Sequence, residues 1–339
     1  MNRNPQDILN LASKLTLKKS YNALKVLGSY YYSRAISQPV QMGMPISLSI
    51  EPTTSCNLRC PECPSGLRSF SRPTGMLDRK FFEKTIDEVA GHLLWLTFYF
   101  QGEPYLNPDF TEMVRYASSK NIYTATSTNA HYLDDATARK TVESGLDRLI
   151  ISIDGTTQET YEQYRIGGSL QKVLDGASNI LKWKKTLRSK TPHVIFQFLV
   201  VRHNEHQVEE LERLAKEIGV DEIALKTAQV YDYENGSDLI PLNEKYSRYK
   251  NAGGKWSIKN KLLNECWKMW HSCVITWDGK IVPCCFDKDA SHSMGTLEKD
   301  SFKSIWHSAP YNQFRRSLLK GRKEIDICRN CTEGTQVWA

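Results

Sequence analysis

The residue type whose spacing speaks most directly of chemistry in this chain is cysteine. Of nine cysteines in 339 residues, three stand in one short run, Cys56-x3-Cys60-x2-Cys63, inside EPTTSCNLRCPECPSG. Short-spaced thiols on a chain without the ordered basic, apolar and small-residue regions of an export signal argue for metal ligation in a reducing compartment, and so for a cytoplasmic protein. A structural zinc site wants a fourth Cys or His close by, and PSGLRSFSRPTG supplies none before residue 76. Three thiolates on a four-iron cubane instead leave one iron without a protein ligand, a corner able to chelate a small molecule.

The other six cysteines come late: Cys266, Cys273, Cys284, Cys285, Cys328 and Cys331. Among them TWDGKIVP reads as a tight hairpin around Asp278-Gly279, and CRNC is a Cys-x2-Cys pair. A zinc ribbon on four of these thiolates is one reading, an iron–sulfur cluster another.

A scaffold must carry these groups, and from residue 46 strand and helix alternate. ISLSIEP (46–52), WLTFYFQG (95–102), IYTATS (122–127), DRLIISID (147–154), HVIFQFLVV (193–201) and EIALKT (222–227) read as strands. Between them lie helical patterns over 77–93, with Asp78 as N-cap, over 107–120, with Pro108 in its first turn, and over 135–145, 168–187 and 207–219. Six strands with crossover helices predict an α/β fold, a parallel, partial (β/α)6 barrel left open at one side. The cysteine loop follows the first strand, at the end where barrel enzymes keep their chemistry. The expected organisation is an N-terminal helical arm over 1–45, the barrel over 46–235, a polar connector over 236–260 and a small cysteine-rich C-terminal domain over 261–339.

A Cys-x3-Cys-x2-Cys loop in that position resembles the signature of radical S-adenosylmethionine (SAM) enzymes. The resemblance implies a [4Fe-4S] cluster on Cys56, Cys60 and Cys63 that binds S-adenosyl-L-methionine, whose reductive cleavage gives a 5′-deoxyadenosyl radical that takes a hydrogen atom from substrate. QGEP at 101–104 looks like the family's Gly-Gly-Glu-Pro motif, so Gln101, Gly102 and Glu103 inherit contacts to the methionine amino group. Ser127 and Asn129 of STN, and Ser152 and Asp154 of SID, stand at the same rim, the latter two as candidates for ribose or carboxylate. Arg165 matches an arginine that pairs with the methionine carboxylate, for which a planar guanidinium is suited. Glu62, before the third cysteine, departs from the aromatic residue often found there. The late cysteines resemble the SPASM extension of this family in its shortened, one-cluster "twitch" form. That implies an auxiliary [4Fe-4S] cluster on Cys266, Cys284, Cys328 and Cys331, used for electron transfer. Cys285 is expected to pack, and Cys273 either to replace Cys266 as a ligand or to stand free as a surplus thiol able to donate a hydrogen atom in an epimerisation. Arg202, His203, Lys226 and Tyr231 are candidate bases for a dehydrogenation.

A net charge of +7 with 24% charged residues of both signs describes a solvated surface, and no nucleic-acid module accompanies it. The bias concentrates in the leucine-, lysine- and tyrosine-rich first 45 residues, expected to be an arm packed on the body rather than a membrane-surface helix. The expected partners are S-adenosylmethionine, a flavodoxin- or ferredoxin-type reductant, and a small polar or carbohydrate substrate, with ribosomal peptide modification as the alternative. A non-catalytic iron–sulfur carrier would have no use for six β/α units.

Overall fold

The structure, a computed structural model, describes residues 5–335; the first and last four residues, which the expected arm and cysteine-rich domain also include, lie outside it. Two helices lead in, α1 (Pro5–Ser13) and α2 (Leu17–Ile36). The six expected strands then follow as β1 (Ser47–Ile50), β2 (Trp95–Thr97), β3 (Tyr123–Thr128), β4 (Arg148–Ser152), β5 (His193–Val200) and β6 (Glu222–Thr227), each parallel to the next. A single turn, α3 (Pro64–Leu67), follows the cysteine loop, and the crossovers are α4 (Arg79–Val89), α5 (Phe110–Ser119), α6 (Asp135–Glu143), α7 (Gln158–Tyr164), α8 (Leu170–Thr186) and α9 (Val208–Ile218).

Local chemistry explains these limits. Asp78 caps α4, its carboxylate accepting from Phe81 N at 2.8 Å. Pro108 lies ahead of α5 rather than in its first turn, because Asn107 turns the chain: its Oδ1 accepts from Asp109 N at 3.0 Å and its Nδ2 donates to Pro52 O and Leu77 O. Helix α7 is an addition to the expected order; seven polar residues carry less than two full turns of periodicity to read.

The connector holds a hairpin of β7 (Tyr249–Ala252) and β8 (Lys255–Ile258), followed by α10 (Lys268–His271). Next, β9 (Ser272–Ile275) lies parallel to β1 on its far side, Ser47 opposite Ser272 and Ile50 opposite Ile275. Strand β10 (Lys280–Val282) returns antiparallel through the expected Asp278-Gly279 turn, and β11 (Gly295–Thr296) closes the edge. The result is one nine-stranded sheet, β11-β10-β9-β1-β2-β3-β4-β5-β6, shared by the barrel and the late-cysteine region. Helices α11 (Phe302–Trp306), α12 (Ala309–Gly321) and α13 (Asp326–Arg329) complete the chain.

The core lies along the helix-covered face of the parallel strands, where Leu48, Ile50, Leu96, Ile151, Phe196, Phe198 and Ile275 are fully buried and share one side by strand register. At the end of β1 a buried bidentate pair ties three segments together. Arg72 Nη1 and Nη2 reach Glu51 Oε2 and Oε1 at 2.8 and 2.5 Å, and Oε2 also accepts from Trp277 N at 3.2 Å. Among the described residues no helix is long and apolar enough to cross a membrane.

Candidate active site

At the carboxyl ends of β1 to β5 the structure opens a cavity of about 260 Å³, with Cys56, Cys60 and Cys63 on one wall. Their loop is fixed by backbone bonds: Arg59 N to Ile166 O at 3.0 Å, Thr54 N to Gly75 O at 3.1 Å and Glu103 N to Ser55 O at 2.8 Å. Gly66 lets α3 close on the loop, since a Cβ there would stand 2.6 Å from Cys60 N. Burial pushes the Cys56 thiol up to about 11 and raises that of Cys60, so a cation must enter before these groups ionise readily.

The QGEP turn sits directly against this loop. Gly102 adopts φ +76°, and a Cβ on it would lie 2.2 Å from Thr53 O. No other residue type fits that conformation and that approach together. Gly102 N donates to Ser65 Oγ at 2.9 Å. Glu103 points inward, where its oxygens accept from Thr128 Oγ1 at 2.7 Å and Asn129 N at 2.8 Å, and burial lifts its carboxyl to about 7. Asn129 Nδ2 in turn reaches Asn57 Oδ1 at 2.8 Å and Cys56 Sγ at 3.8 Å.

Gln101, Ser127, Ser152 and Arg165 complete the expected lining. Asp154 is not on the cavity wall. It is fully buried, one oxygen accepting from Leu199 N at 2.7 Å and the other from Arg165 Nε at 2.5 Å, which aims the guanidinium so that Nη1 lies 3.8 Å from Cys60 Sγ. Sequence reasoning missed Tyr99, Tyr164 and Lys288, which also line the cavity; Gln197 and Leu199 of the fifth strand do so by strand alternation. Glu62 lies on the same wall and accepts from Tyr231 N at 3.0 Å. Of the four candidate bases none lines the cavity; Arg202 is committed to Asp238, while Tyr231 meets the lining Lys288 through its hydroxyl at 2.9 Å.

The late cysteines gather near the outer strands. Arg322 Nη2 is 3.2 Å from Cys331 Sγ, and its guanidinium faces Cys266 and Cys328 as well. Cys284 lies within electrostatic reach of Cys285, Cys266 and Cys328, and Cys285 within reach of Cys331. Among the described residues no three His, Cys, Asp or Glu converge at single-ion spacing. Five thiols therefore share this neighbourhood, one more than expected. The sixth, Cys273, is turned away: buried on β9, it contacts Tyr311 and Arg315 on α12 and takes no part in the cavity wall. Strand alternation on β9 directs the Cys273 thiol, expected to be a possible hydrogen donor, to the helix-covered face and away from the cavity. Phe100 stands between the two thiol sets, lining the cavity on one side and packing with Cys285, Val274 and Val282 on the other.

The residues fit the groups expected of them: three thiols with no fourth Cys or His among the described residues of the cavity wall, a glycine cradle that a Cβ would fill, and the buried Glu103 carboxylate and the Arg165 guanidinium on the same wall. Comparison with known proteins agrees. The family model of the radical SAM superfamily matches residues 50–215, and that of an iron–sulfur cluster-binding domain, SPASM, matches 266–332. The chain is similar to the tungsten-containing aldehyde ferredoxin oxidoreductase cofactor-modifying protein of Pyrococcus furiosus, with 27% identity over 79% of this chain and 82% of that one. It is similar to the PqqA peptide cyclase of Gluconobacter oxydans, with 24% identity over 87% and 84%. The solved structure of BtrN in complex with AdoMet and 2-DOIA superposes with a TM-score of 0.53 at 15% identity, covering 88% of this chain and 96% of BtrN. The chain belongs to the radical SAM superfamily, with a partial-barrel core, a C-terminal SPASM domain, and the SAM-binding and auxiliary iron–sulfur clusters these domains imply.

Proposed function

We propose that this enzyme oxidises or epimerises a small polar substrate at the cavity, with Cys56, Cys60 and Cys63 holding the SAM-binding cluster. The carrying observation is that cavity itself, three thiols opposite a glycine cradle and an aimed arginine. Bound there, cluster and cofactor supply one-electron cleavage of a sulfonium C–S bond and hence hydrogen-atom abstraction.

The chain's own residues bind and orient. Gln101, Gly102 and the Glu103 carboxylate receive the methionine ammonium, and Arg165, steered by Asp154, meets the methionine carboxylate. Ser127, Asn129 and Ser152 offer short polar groups to the ribose. Cys266, Cys284, Cys328 and Cys331 hold the auxiliary cluster, and the proximity of Cys285 supports either it or Cys284 as the ligand. Phe100, on the cavity wall and packed with Cys285, is the side chain between the cavity and the second set of thiols.

Gln197 and Lys288, polar lining residues not given to the cofactor, favour a hydroxylated small molecule. A peptide is the second reading, favoured by the likeness to a peptide cyclase over 87% of the chain. The test is 5′-deoxyadenosine formation by anaerobically reconstituted, reduced enzyme. Wild type should produce it and the Cys56/Cys60/Cys63→Ala variant should not. Acceleration by added aminocyclitols or sugars supports the first substrate class, acceleration by peptides alone the second, and equal formation by the variant refutes the site.

A further inference from the structure

Helix α2 is built inside out. Its buried face is polar: Asn22 donates to Met44 O and accepts from Met44 N, both at 2.8 Å, Ser29 accepts from Met42 N at 2.9 Å and Ser33 from Val40 N at 2.8 Å. Val26 and Tyr30 add apolar contact, Tyr30 meeting Trp267 and Trp270 edge-on. The opposite face carries Leu17, Tyr21, Leu24 and Tyr31 at steps of four, three and seven, exposed by 92, 62, 66 and 51%. Tyr32 and Ile36 widen it, and Leu9 of α1 is 70% exposed. A stripe of that size at helical spacing marks an interaction surface rather than scattered surface residues.

Charge identifies what it meets. From residue 8 to 50 there is no Asp or Glu, but there are four lysines and an arginine. Lys14, Lys19 and Arg34 are committed to Asp147, Asn121 O and Glu265. Among the described residues Lys18 and Lys25 have no ion pair, Lys25 Nζ lying 4.4 Å from the centre of the exposed Tyr21 ring; with Lys303 of α11 they lie near His92, whose protonation is disfavoured by burial and then by these three charges. The nearby Glu88 is engaged by Lys303 N. A second copy of this face would bring like charges together, whereas lysines flanking leucine and tyrosine suit an anionic surface with an apolar interior.

We infer that the outer face of α1 and α2 seats in the headgroup plane of an anionic lipid bilayer, holding the enzyme on the membrane surface without crossing it. Full-length holoenzyme should sediment with phosphatidylcholine vesicles containing phosphatidylglycerol, and much less with phosphatidylcholine alone or in high salt. Lys18→Gln and Lys25→Gln should each weaken partitioning about fivefold. Leu24→Glu/Tyr31→Glu should abolish it, with iron content and circular dichroism unchanged because both side chains point outward. Equal sedimentation of that folded variant, equal binding to neutral vesicles, or no sedimentation of the wild type overturns the inference. So does a dimer in light scattering that Leu24→Glu splits while vesicles fail to bind, which would assign the face to a second copy.

Discussion

The Glu51–Arg72 pair offers a quantitative test of how the cysteine loop is fastened. Glu51 has no exposed surface and Arg72 only 8%. Burial holds the Glu51 carboxyl above its usual range even against the guanidinium, which is its counter-ion. Arg72→Met keeps the length of the side chain and strands the carboxylate. Breaking a buried pair on one side costs about 3–5 kcal/mol. At about 1.4 kcal/mol per decade, the Trp277 amide, which donates to Glu51, should lose roughly two to three and a half orders of magnitude of hydrogen-exchange protection. Glu51→Gln/Arg72→Met should restore most of it, because no charge is left buried. The pH dependence follows with a definite sign. With Arg72 gone, the folded carboxyl binds a proton that the unfolded chain releases above 4.5. Stability of Arg72→Met therefore falls as pH rises from about 4.5 toward the raised value of the folded carboxyl, and is regained on acidification through that window by about 1.4 kcal/mol per unit until the unfolded chain's carboxyl is protonated as well. The double variant should lack this slope. Protection of the 272–282 peptide, corrected for intrinsic exchange, is the readout. A single variant within threefold of wild type, or a double variant as damaged as the single, would refute the reasoning.

Three further outcomes are expected. Gly102→Ala must place a Cβ against Thr53 O at positive φ, costing about 1–2 kcal/mol for the backbone alone, and should lower S-adenosylmethionine binding in equilibrium dialysis with the auxiliary iron retained. Arg165→Lys keeps the charge but loses the planar fork, so cofactor affinity should drop about tenfold, equivalent to one charge-assisted hydrogen bond; unchanged affinity would remove Arg165 from the carboxylate site. Cys273→Ala should leave iron content and product distribution unaltered, since the thiol faces α12, and a diverted product would contradict its placement.

The barrel was legible because strand and helix patterns alternate in short local runs and several crossover helices carry their own caps, as Asp78 does for α4, Asp134 for α6 and Ser169 for α8. The cysteine loop and the QGEP turn were legible because their spacing is local. Long-range pairing was not: nothing in SCVI announces that it will lie beside SLSI. Asp154 was placed at the rim by its position after β4, yet its carboxylate is consumed by Arg165 and Leu199 N. Leucine spacing in α2 suggests that Leu17 and Leu24 pack inward. The inward face is instead chosen by residues 40–44, whose returning backbone needs the Asn22, Ser29 and Ser33 side chains.

The pairing of β1 with β9 also sets the order in which the chain can be finished. Ser47 and Ser272 are neighbours in space but 225 residues apart in sequence, 272 less 47. At a synthesis rate of about 5–20 residues per second, β1 leaves the ribosome roughly 11–45 s before its partner exists. Throughout that interval one edge of the parallel sheet has unpaired amides and carbonyls, a template for pairing with another chain. The late-cysteine region is thus the piece that seals the barrel's open edge, and a chain stopped before residue 272 should be a client for chaperones rather than a smaller enzyme.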